Sequence, residues 1–485
     1  MSHKSSMHGG GESYSGVVPT KQPNKSEPPP AEAVEGRPLT KENTPEPNSH
    51  RTPCRESGRS GLERVREAAK KDGKLKFTAL LHHVSIDLLR ESYNSLKKKA
   101  APGVDGVRWE EYGRNLESRL SDLQGRIHRR AYRARPSRRT WISKSDGRKR
   151  PLGIAALEDK VVQSAVGTVL NQIWEEDFLG FSYGFRPGRG PPDALDALSV
   201  GMVRKKVNWI LDLDIRSFLD KLQHDWLVRF VEHRIGDKRV VRLIQKWLKA
   251  GVVEHGRWFQ TEEGSPQGSV ISPILANLYL HHELDLWAKA WRKKQARGEM
   301  IIVRYADDGV LGFERREDAE LFLEQWRERL RKFGLELHPE KTRLIEYGRY
   351  AAERREKREE KKPETFNFLG FTHIGGTNHK TGKFTVLRKT IGKRMAAKLT
   401  ELRAKLRQRM HASPKETGKW LGQVVRGYFQ YHAIAGNWDR LKAYRNDVLR
   451  IWFQTLRRRS QRSRLSCFLE DHKFGPGRGH ALGLQ

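Results

Sequence analysis

Cysteine and long hydrophobic runs are scarce in this sequence of 485 residues. The two cysteines, Cys54 and Cys467, are too few for a zinc site with four cysteine ligands or for a disulfide framework. Scarcity of cysteine is typical of a reducing compartment, so we expect a cytoplasmic protein. No stretch of about 18 consecutive apolar residues occurs, and we therefore expect no membrane span.

Acidic residues are few relative to basic ones. The chain has 94 Lys and Arg against 59 Asp and Glu, a formal net charge of +35. Such an excess favours a polyanionic partner, because Lys and Arg neutralise phosphates and release condensed counterions. Residues 388–464 alone hold 21 Lys and Arg against 4 Asp and Glu. Aromatic residues in this segment either stack on RNA bases or, as we expect for most of them, form a helical core; they are Trp420, Tyr428, Phe429, Tyr431, Trp438, Tyr444 and Trp452.

Composition divides the chain into five segments. Residues 1–58 are rich in Pro, Gly, Ser, Lys and Glu, which predicts a disordered leader. Residues 59–135 have apolar residues at helical spacing, and residues 136–387 alternate between strand and helix patterns. Residues 388–465 are basic and helical in pattern, and residues 466–485 are expected to form a disordered tail.

The tetrapeptide Tyr305–Asp308 lies between two apolar segments with the composition of strands, residues 300–304 and 309–313. Asp-Asp is typical of turns, so the region predicts a β-hairpin with two carboxylates at its tip. Adjacent carboxylates repel one another, and a hard divalent cation such as Mg²⁺ would relieve that repulsion. Alone, the tetrapeptide is a weak indication, because most Asp-Asp pairs at turns are simply solvated.

Two upstream segments strengthen this interpretation. Residues 207–215 read as an apolar strand that carries Asp214 at its end, where α/β sheets often place their chemistry. Asp212, two residues earlier, is expected to be a surface or helix-capping acid. Residues 264–273 form a loop rich in Gly and Pro that opens an apolar helix.

With these segments in order, the chain resembles the reverse transcriptases of bacterial group II introns, which also act as intron maturases. Eight blocks occur in the family order over roughly residues 76–465. They are residues 101–106, 141–154, 182–189, the Asp214 strand, the Gln267 loop, Tyr305–Asp308, residues 337–342 and residues 368–371. Many relatives continue into a DNA-binding segment and a His-Asn-His endonuclease. Neither fits after residue 465, so we expect the type that lacks the endonuclease.

The resemblance implies an α/β (α+β) right-hand polymerase. Fingers and a palm with an antiparallel sheet are expected within residues 136–387, followed by an α-helical thumb and maturase domain. The implied function is RNA-directed DNA synthesis, with intron RNA, an RNA template with a DNA primer, target DNA and deoxynucleotides as partners. Two alternatives stay open: a splicing-only maturase, against which the retained aspartates argue, and a domesticated reverse transcriptase in phage defence.

The resemblance also implies a site for two metal ions. Asp214 and Asp307 are the expected bridging ligands, Asp308 is the third, and the Ile215 carbonyl contacts a metal. The expected ion is Mg²⁺, with Mn²⁺ as a possible substitute. Lys341 matches a family lysine that protonates or neutralises the leaving pyrophosphate; a plain salt bridge is the equal alternative.

Substrate contacts are implied in the same way. Lys144 and Arg150 match residues that contact the triphosphate of the incoming nucleotide. Gln267 and Gly268 match the loop that lies against the nascent base pair, where glycine permits close approach. Tyr305, with Ala306 beside it in the same block, is expected under the primer end.

Two departures from the family concern the expected active site. Leu219 stands where the family usually has a second aromatic residue, whose ring excludes the 2′-hydroxyl of a ribonucleotide. We therefore expect weaker discrimination against ribonucleotides than in relatives. Gly309 replaces the usual aromatic or apolar residue after Asp-Asp, and glycine loosens a strand.

The C-terminal basic segment is expected to contact RNA. Residues 426–431 resemble the core of the family's thumb and maturase domain, in which Arg426 is the candidate contact. Arg457, Arg458 and Arg459 begin a basic tail suited to phosphate contacts.

Overall fold

The computed structural model of the chain describes residues 53–143, 149–360, 362–378 and 381–459. The chain divides into two compact units: residues 1–369 with 375–386, and residues 370–374 with 387–485. The predicted tail 466–485 and most of the predicted leader lie outside the described residues. Helix α1 begins at Pro53, which corrects the end of the predicted disordered leader by six residues.

Helices make up residues 53–135 for the most part, as the spacing of the apolar residues in this segment predicts. Helices α1 and α2 pack against the long helix α5, whose side chains are buried along most of its length. The helices before the first strand are α1 (Pro53–Lys71), α2 (Ile86–Ser95), α3 (Trp109–Gly113) and α4 (Leu116–His128), with a 3₁₀ turn at Leu81–His83.

A mixed four-stranded sheet follows, in the strand order β2-β1-β4-β5. Strand β1 pairs antiparallel with β2 and parallel with β4, and β4 and β5 form an antiparallel hairpin. Its strands are β1 (Ser137–Ser143), β2 (Lys149–Ile154), β4 (Val252–Glu254) and β5 (Arg257–Phe259).

A second sheet of four strands lies deeper in the same unit, in the order β6-β7-β3-β8. All three strand pairs are antiparallel, which confirms the predicted antiparallel sheet. Its apolar, β-branched residues are buried because α6 packs on β6 and α11 packs on β3 and β7. The strands are β3 (Trp209–Asp214), β6 (Met300–Tyr305), β7 (Asp308–Phe313) and β8 (Arg343–Glu346).

The remaining helices of the first unit surround these sheets. Helix α9 continues into a π turn at His281–Asp285 and then into α10, so three elements form one extended rod. The helices are α5 (Leu157–Asp177), α6 (Pro191–Arg204), α7 (His224–Arg234), α8 (Lys238–Lys249), α9 (Ser272–Leu280), α10 (Leu286–Lys294), α11 (Arg316–Lys332) and α12 (Ala351–Lys357), with a 3₁₀ turn at Phe218–Asp220.

Three further strands, β9 (Phe366–Phe368), β10 (Phe371–Thr377) and β11 (Phe384–Thr390), lie where the chain passes between the two units. The rest of the second unit, as far as residue 459, is mainly helical, with α13 (Gly392–Gln408), α14 (Pro414–His432) and α15 (Trp438–Arg457). Of the seven aromatic residues named in the sequence analysis, five pack in or against its core, whereas Tyr431 and Trp438 are exposed. Within the described part of the chain, no helix is long and apolar enough to cross a membrane.

Candidate active site

The tip of the β6–β7 hairpin carries the paired aspartates. Tyr305 pairs with Asp308, so Ala306 and Asp307 form a two-residue turn. Ala306 has a φ of 56°, in the left-handed region, as the turns of tight hairpins require. The predicted hairpin with carboxylates at its tip is therefore confirmed.

Strand register places Asp214 directly opposite Asp308 across the β3–β7 pair. Side chains of such cross-strand partners lie on the same face, with Cβ atoms about 4.5–5.5 Å apart. Asp307 precedes this position and lies in the turn, where it is half-buried. The structure thus brings Asp214 and Asp308 together most directly, with Asp307 beside them at the tip.

Lys341 lies on the open side of this carboxylate pair. Its ammonium forms an ion pair with Oδ2 of Asp214, and the two side chains are 52% and 24% exposed. The segment that carries Lys341 is attached to the end of β3, because the His338 N–H donates to the Asp214 carbonyl at 2.7 Å. Lys341 therefore neutralises an expected metal ligand in this structure.

An open cavity of about 520 Å³ borders the pair, and Asp212 also lines it. Burial raises the pKa of Asp212 to about 6, although the guanidinium of Arg343, 3.6 Å from its carboxylate, acts in the opposite direction. The expectation of a surface or capping acid was wrong. Side chains two residues apart in a strand lie on the same face, so Asp212 lies on the same face of β3 as Asp214. This spacing could have indicated its position from the sequence.

A second cluster surrounds the Gln267 loop. Arg150 donates from Nε to Oε1 of Gln267 at 2.6 Å, and Gln267 donates from Nε2 to both carboxylate oxygens of Asp220 at 3.0 and 3.1 Å. Gly268 has a φ of 107°, and a Cβ there would lie 2.8 Å from Cδ1 of Leu152. The structure therefore brings together Arg150, Gln267 and Gly268, whereas the predicted contact Lys144 lies outside the described residues.

Residues 142–373 match the family described as reverse transcriptase (RNA-dependent DNA polymerase). This segment, slightly less than half of the chain, is similar to that family. It contains both clusters described above.

Curated relatives support the same assignment. The chain is 36% identical over 245 residues to Protein YkfC of Escherichia coli, covering 45% of this chain and 64% of that protein. It is 30% identical over 305 residues to the group II intron-encoded protein LtrA of Lactococcus lactis subsp. cremoris, covering 60% and 50%. It is 35% identical over 199 residues to an uncharacterized 91 kDa protein in the cob intron of Schizosaccharomyces pombe, covering 41% and 24%. The resemblance to group II intron proteins is confirmed, although the chain spans less than two thirds of the length of each of these relatives.

Three further expected contacts of the reverse transcriptase segment lie near the carboxylates. Ile215 follows Asp214 directly, is buried, and forms a β-bridge with Leu337. Leu219 is half-buried, and its carbonyl accepts the N–H of Ser265 at 2.8 Å, next to the Gln267 loop. Tyr305 is half-buried, and burial raises the pKa of its hydroxyl.

The carboxylates of the reverse transcriptase segment have the chemistry that Mg²⁺ requires. Within the described residues, no group of three or more His, Cys, Asp or Glu side chains is arranged to hold a metal ion by itself. Mg²⁺ is usually bound by one or two carboxylates together with water and substrate phosphates, rather than by an all-protein cage. The carboxylates of Asp214 and Asp308, at paired positions of neighbouring strands, fit that mode of binding.

The expected RNA contacts of the second unit are accessible. Arg426 lies on α14 and is exposed, as are Arg457 and Arg458 at the end of α15. Arg459 is half-buried, and the guanidinium of Arg457 lies 5.8 Å from the ring centre of Phe453. Their contact with RNA stays a prediction.

Proposed function

We propose that this protein is the RNA-directed DNA polymerase of a group II intron, which also binds the intron RNA as a maturase. In this proposal the first unit supplies fingers and palm, and the helical second unit supplies the thumb. The observation that supports it most strongly is the register of β3 and β7, which places Asp214 opposite Asp308 beside the Tyr305–Asp308 turn. This arrangement lies inside the segment of reverse transcriptase sequence.

Asp214, Asp307 and Asp308 would hold two Mg²⁺ ions, with the Ile215 carbonyl as a further ligand. When bound, the ions would stabilise the charge on the attacking 3′-oxygen of the primer and on the leaving pyrophosphate. Asp214 and Asp308 stand at paired positions of two strands whose backbone is set by the sheet, so both carboxylates would be available to the same ions. Deoxynucleotides, the RNA template with its DNA primer, and target DNA are the proposed substrates.

Lys341 would exchange partners during the reaction. Its ammonium pairs with Asp214 in an exposed position, where an ion pair contributes only about 0–1 kcal/mol. A phosphate oxygen of the nucleotide therefore competes easily for it. From there, Lys341 can neutralise the leaving pyrophosphate or donate a proton to it.

The hydrogen bonds from Arg150 to Gln267 and from Gln267 to Asp220 would orient the side chains that face the incoming nucleotide. Asp220 accepts from the amide nitrogen of Gln267, so the amide oxygen is directed at Arg150. This fixed orientation leaves the backbone of Gly268 free to approach the nascent base pair. Arg150, together with Lys144, would contact the triphosphate.

The maturase part of the proposal rests on charge and on relatives. The helical second unit contains most of the basic segment 388–464 and exposes Arg426 and Arg457. A relative in the mitochondria of Arabidopsis thaliana, named nuclear intron maturase 4, is 26% identical over 213 residues. Basic surfaces of this kind bind RNA through its phosphates.

The decisive experiment is extension of a DNA primer on an RNA template at varied Mg²⁺, with wild type and Asp307→Ala compared. We expect wild type to extend the primer and the variant to lose extension while retaining its fold and its RNA binding. A folded, RNA-binding wild type that does not extend the primer would instead indicate a maturase without polymerase activity.

Sugar selection gives a second test of the proposal. Because Leu219 lacks the flat ring found in relatives, we expect Leu219→Phe to increase the preference for deoxynucleotides over ribonucleotides. Incorporation rates of matched dNTP and rNTP pairs measure this preference. The idea fails if wild type already discriminates as well as a relative and the substitution changes nothing.

A further inference from the structure

Arg304 is a charged residue inside an otherwise apolar strand. It lies in β6, three residues before Asp307, and is 1% exposed. Burial of a guanidinium carries a large desolvation penalty unless its N–H groups are matched by acceptors. A family motif that begins at Tyr305 does not explain why this charge is present.

All five N–H donors of Arg304 have acceptors. Nε and Nη2 donate to the two carboxylate oxygens of Asp285 at 2.7 and 2.6 Å. Nη2 also donates to Oγ of Ser182 at 2.7 Å, and Nη1 donates to Oδ1 of Asn277 at 3.1 Å. The remaining bond runs from Nη1 to the carbonyl of Ala306 at 2.9 Å. The guanidinium therefore joins four separate points of the chain, and one of them is the turn itself.

The Ala306 carbonyl belongs to the peptide that joins Ala306 to Asp307. Ala306 is in the left-handed region, which costs a residue other than glycine about 1–3 kcal/mol when the surroundings do not support it. The hydrogen bond from Arg304 holds this peptide in one orientation. The direction in which Asp307 leaves the turn follows from that orientation.

A second segment supports the turn from another side. The N–H of Tyr183 donates to the carbonyl of Arg304 at 2.8 Å, and Asn277 donates from Nδ2 to the carbonyl of Gly184 at 2.6 Å. Gly184 lies so close that a Cβ there would be 2.2 Å from the backbone nitrogen of Ala306. Asn277 therefore bonds both to the guanidinium and to the segment that contacts the turn.

The π turn at His281–Asp285 supplies the carboxylate. Asp285 is fully buried, and a π turn inserts an extra residue into a helix, often at functional sites. The bidentate pair between Arg304 and Asp285 fixes the plane of the guanidinium as well as its position. With its plane fixed, the guanidinium can direct its remaining N–H groups at Ser182, Asn277 and the Ala306 carbonyl.

We propose that Arg304, held by Asp285, Asn277 and Ser182, is a positioning residue that sets the geometry of the metal-binding carboxylates through the Ala306 carbonyl. This proposal rests on the proposed polymerase function. It predicts that loss of the guanidinium weakens metal binding more than nucleotide binding, because the misplaced groups are carboxylates.

The matched control is Arg234, another fully buried arginine paired with a buried carboxylate. It is 1% exposed, forms an ion pair with Asp177 at 3.1 Å, and donates to the Asp72 carbonyl at 3.0 Å. Neither of these contacts involves the hairpin. Arg234→Lys therefore reproduces the cost of replacing a buried guanidinium without touching the turn.

The experiment compares wild type, Arg304→Lys, Ser182→Ala and Arg234→Lys in the full chain. Mn²⁺ binding is followed by electron paramagnetic resonance, and primer extension is measured against Mg²⁺ and against dNTP concentration. We expect Arg304→Lys to weaken Mn²⁺ binding and raise the half-saturating Mg²⁺ by about 10- to 100-fold, as loss of groups that orient metal ligands does elsewhere. The KM for dNTP should change far less. Ser182→Ala, which removes one hydrogen bond, should shift both metal readouts less, in the same direction.

Unchanged Mn²⁺ and Mg²⁺ dependence in a folded Arg304→Lys overturns the proposal, and so does an equal shift in Arg234→Lys. If Arg304→Lys does not fold, the test rests on Ser182→Ala. A shift in its Mn²⁺ binding or Mg²⁺ dependence supports the proposal, and no shift overturns it. A wild type without extension would mean that the polymerase function fails. Mn²⁺ binding then decides by itself: weaker binding in Arg304→Lys supports positioning, and equal or absent binding overturns it.

Discussion

Two ion pairs near the β6–β7 hairpin have opposite characters: one is formed by Arg304 of β6, and the other by Asp214, which is paired with β7. On the buried side, Arg304 and Asp285 are 2% and 0% exposed in their side chains, and every guanidinium N–H has an acceptor. On the open side, Lys341 and Asp214 are 52% and 24% exposed. The buried pair can exchange its partners only by disrupting the core, whereas the open pair can exchange them with solvent, a metal ion or a phosphate. The proposed polymerase activity would need both: carboxylates that stay in place and a counter-charge that can leave.

The largest expected difference between the two sides is in stability. Asp285→Ala leaves the Arg304 charge buried without its main partner, which should lower the free energy of unfolding by about 3–5 kcal/mol. Lys341→Ala breaks an exposed pair and should change it by about 1 kcal/mol or less. Urea unfolding of both variants at one pH measures the contrast. Equal losses would mean that the two pairs do not differ in the way their exposure indicates.

The pH dependence of stability tests the buried side of this comparison, and the expected change in the free energy of unfolding is smaller. Glu283, in the same π turn as Asp285, is fully buried, and burial raises its pKa to about 7 despite Arg329 and the Trp326 N–H. The folded protein therefore retains a proton that the unfolded chain releases above its ordinary pKa of 4.5. The contribution of Glu283 to stability should therefore fall as the pH rises from about 4.5 to about 7 and become level above that.

Glu283→Gln removes this decline while keeping an acceptor for the Trp326 N–H, which donates to Oε1 at 2.9 Å. At pH 8 the variant should be more stable than wild type by about 3–4 kcal/mol, because each unit of pKa shift corresponds to about 1.4 kcal/mol. Unfolding midpoints between pH 4 and pH 8 measure the effect. Glu328→Gln, on the exposed side of α11, is the control and should keep the wild-type pH dependence.

The smallest effect is expected at Gly309, in β7 directly after Asp308. A Cβ at this position would lie 3.4 Å from Cδ1 of Leu213, which is ordinary contact. Gly309→Ala should therefore stabilise the protein by about 0.4–1 kcal/mol by restricting the unfolded chain. Gly184→Ala is the opposing case, since its Cβ would overlap the backbone of Ala306. Thermal unfolding of both variants tests this, and destabilisation by Gly309→Ala would contradict the packing described.

Much of the candidate site could be predicted from local patterns. Apolar runs on both sides of Asp307 and Asp308 indicated a hairpin, and the strand before Asp214 indicated a carboxylate at a strand end. Both predictions depend only on residues close in sequence, where periodicity and turn propensity act directly. The helical, basic character of the second unit was predictable for the same reason.

Other features were not accessible to this reasoning. Nothing local indicated that Asp308, rather than its neighbour in the turn, stands opposite Asp214, because strand register depends on pairing across the sheet. The burial of Asp212 was missed because its exposure depends on β8, where Arg343 pairs with it.

The residues of this chain specify which groups are available for chemistry: two adjacent carboxylates on a turn, a third at the end of an apolar strand, and a surplus of cations suited to phosphate. These are local properties, set by side-chain type and by spacing along one strand or helix. The support of the turn is of a different kind. Ser182, Asn277, Asp285 and Arg304 are separated by up to 122 residues, and they meet only because a sheet and an interrupted helix pack together. A buried charge without acceptors is costly because it has lost its water, so Arg304 keeps its hydrogen bonds. Through these bonds the packed core orients the carboxylates that the sequence provides.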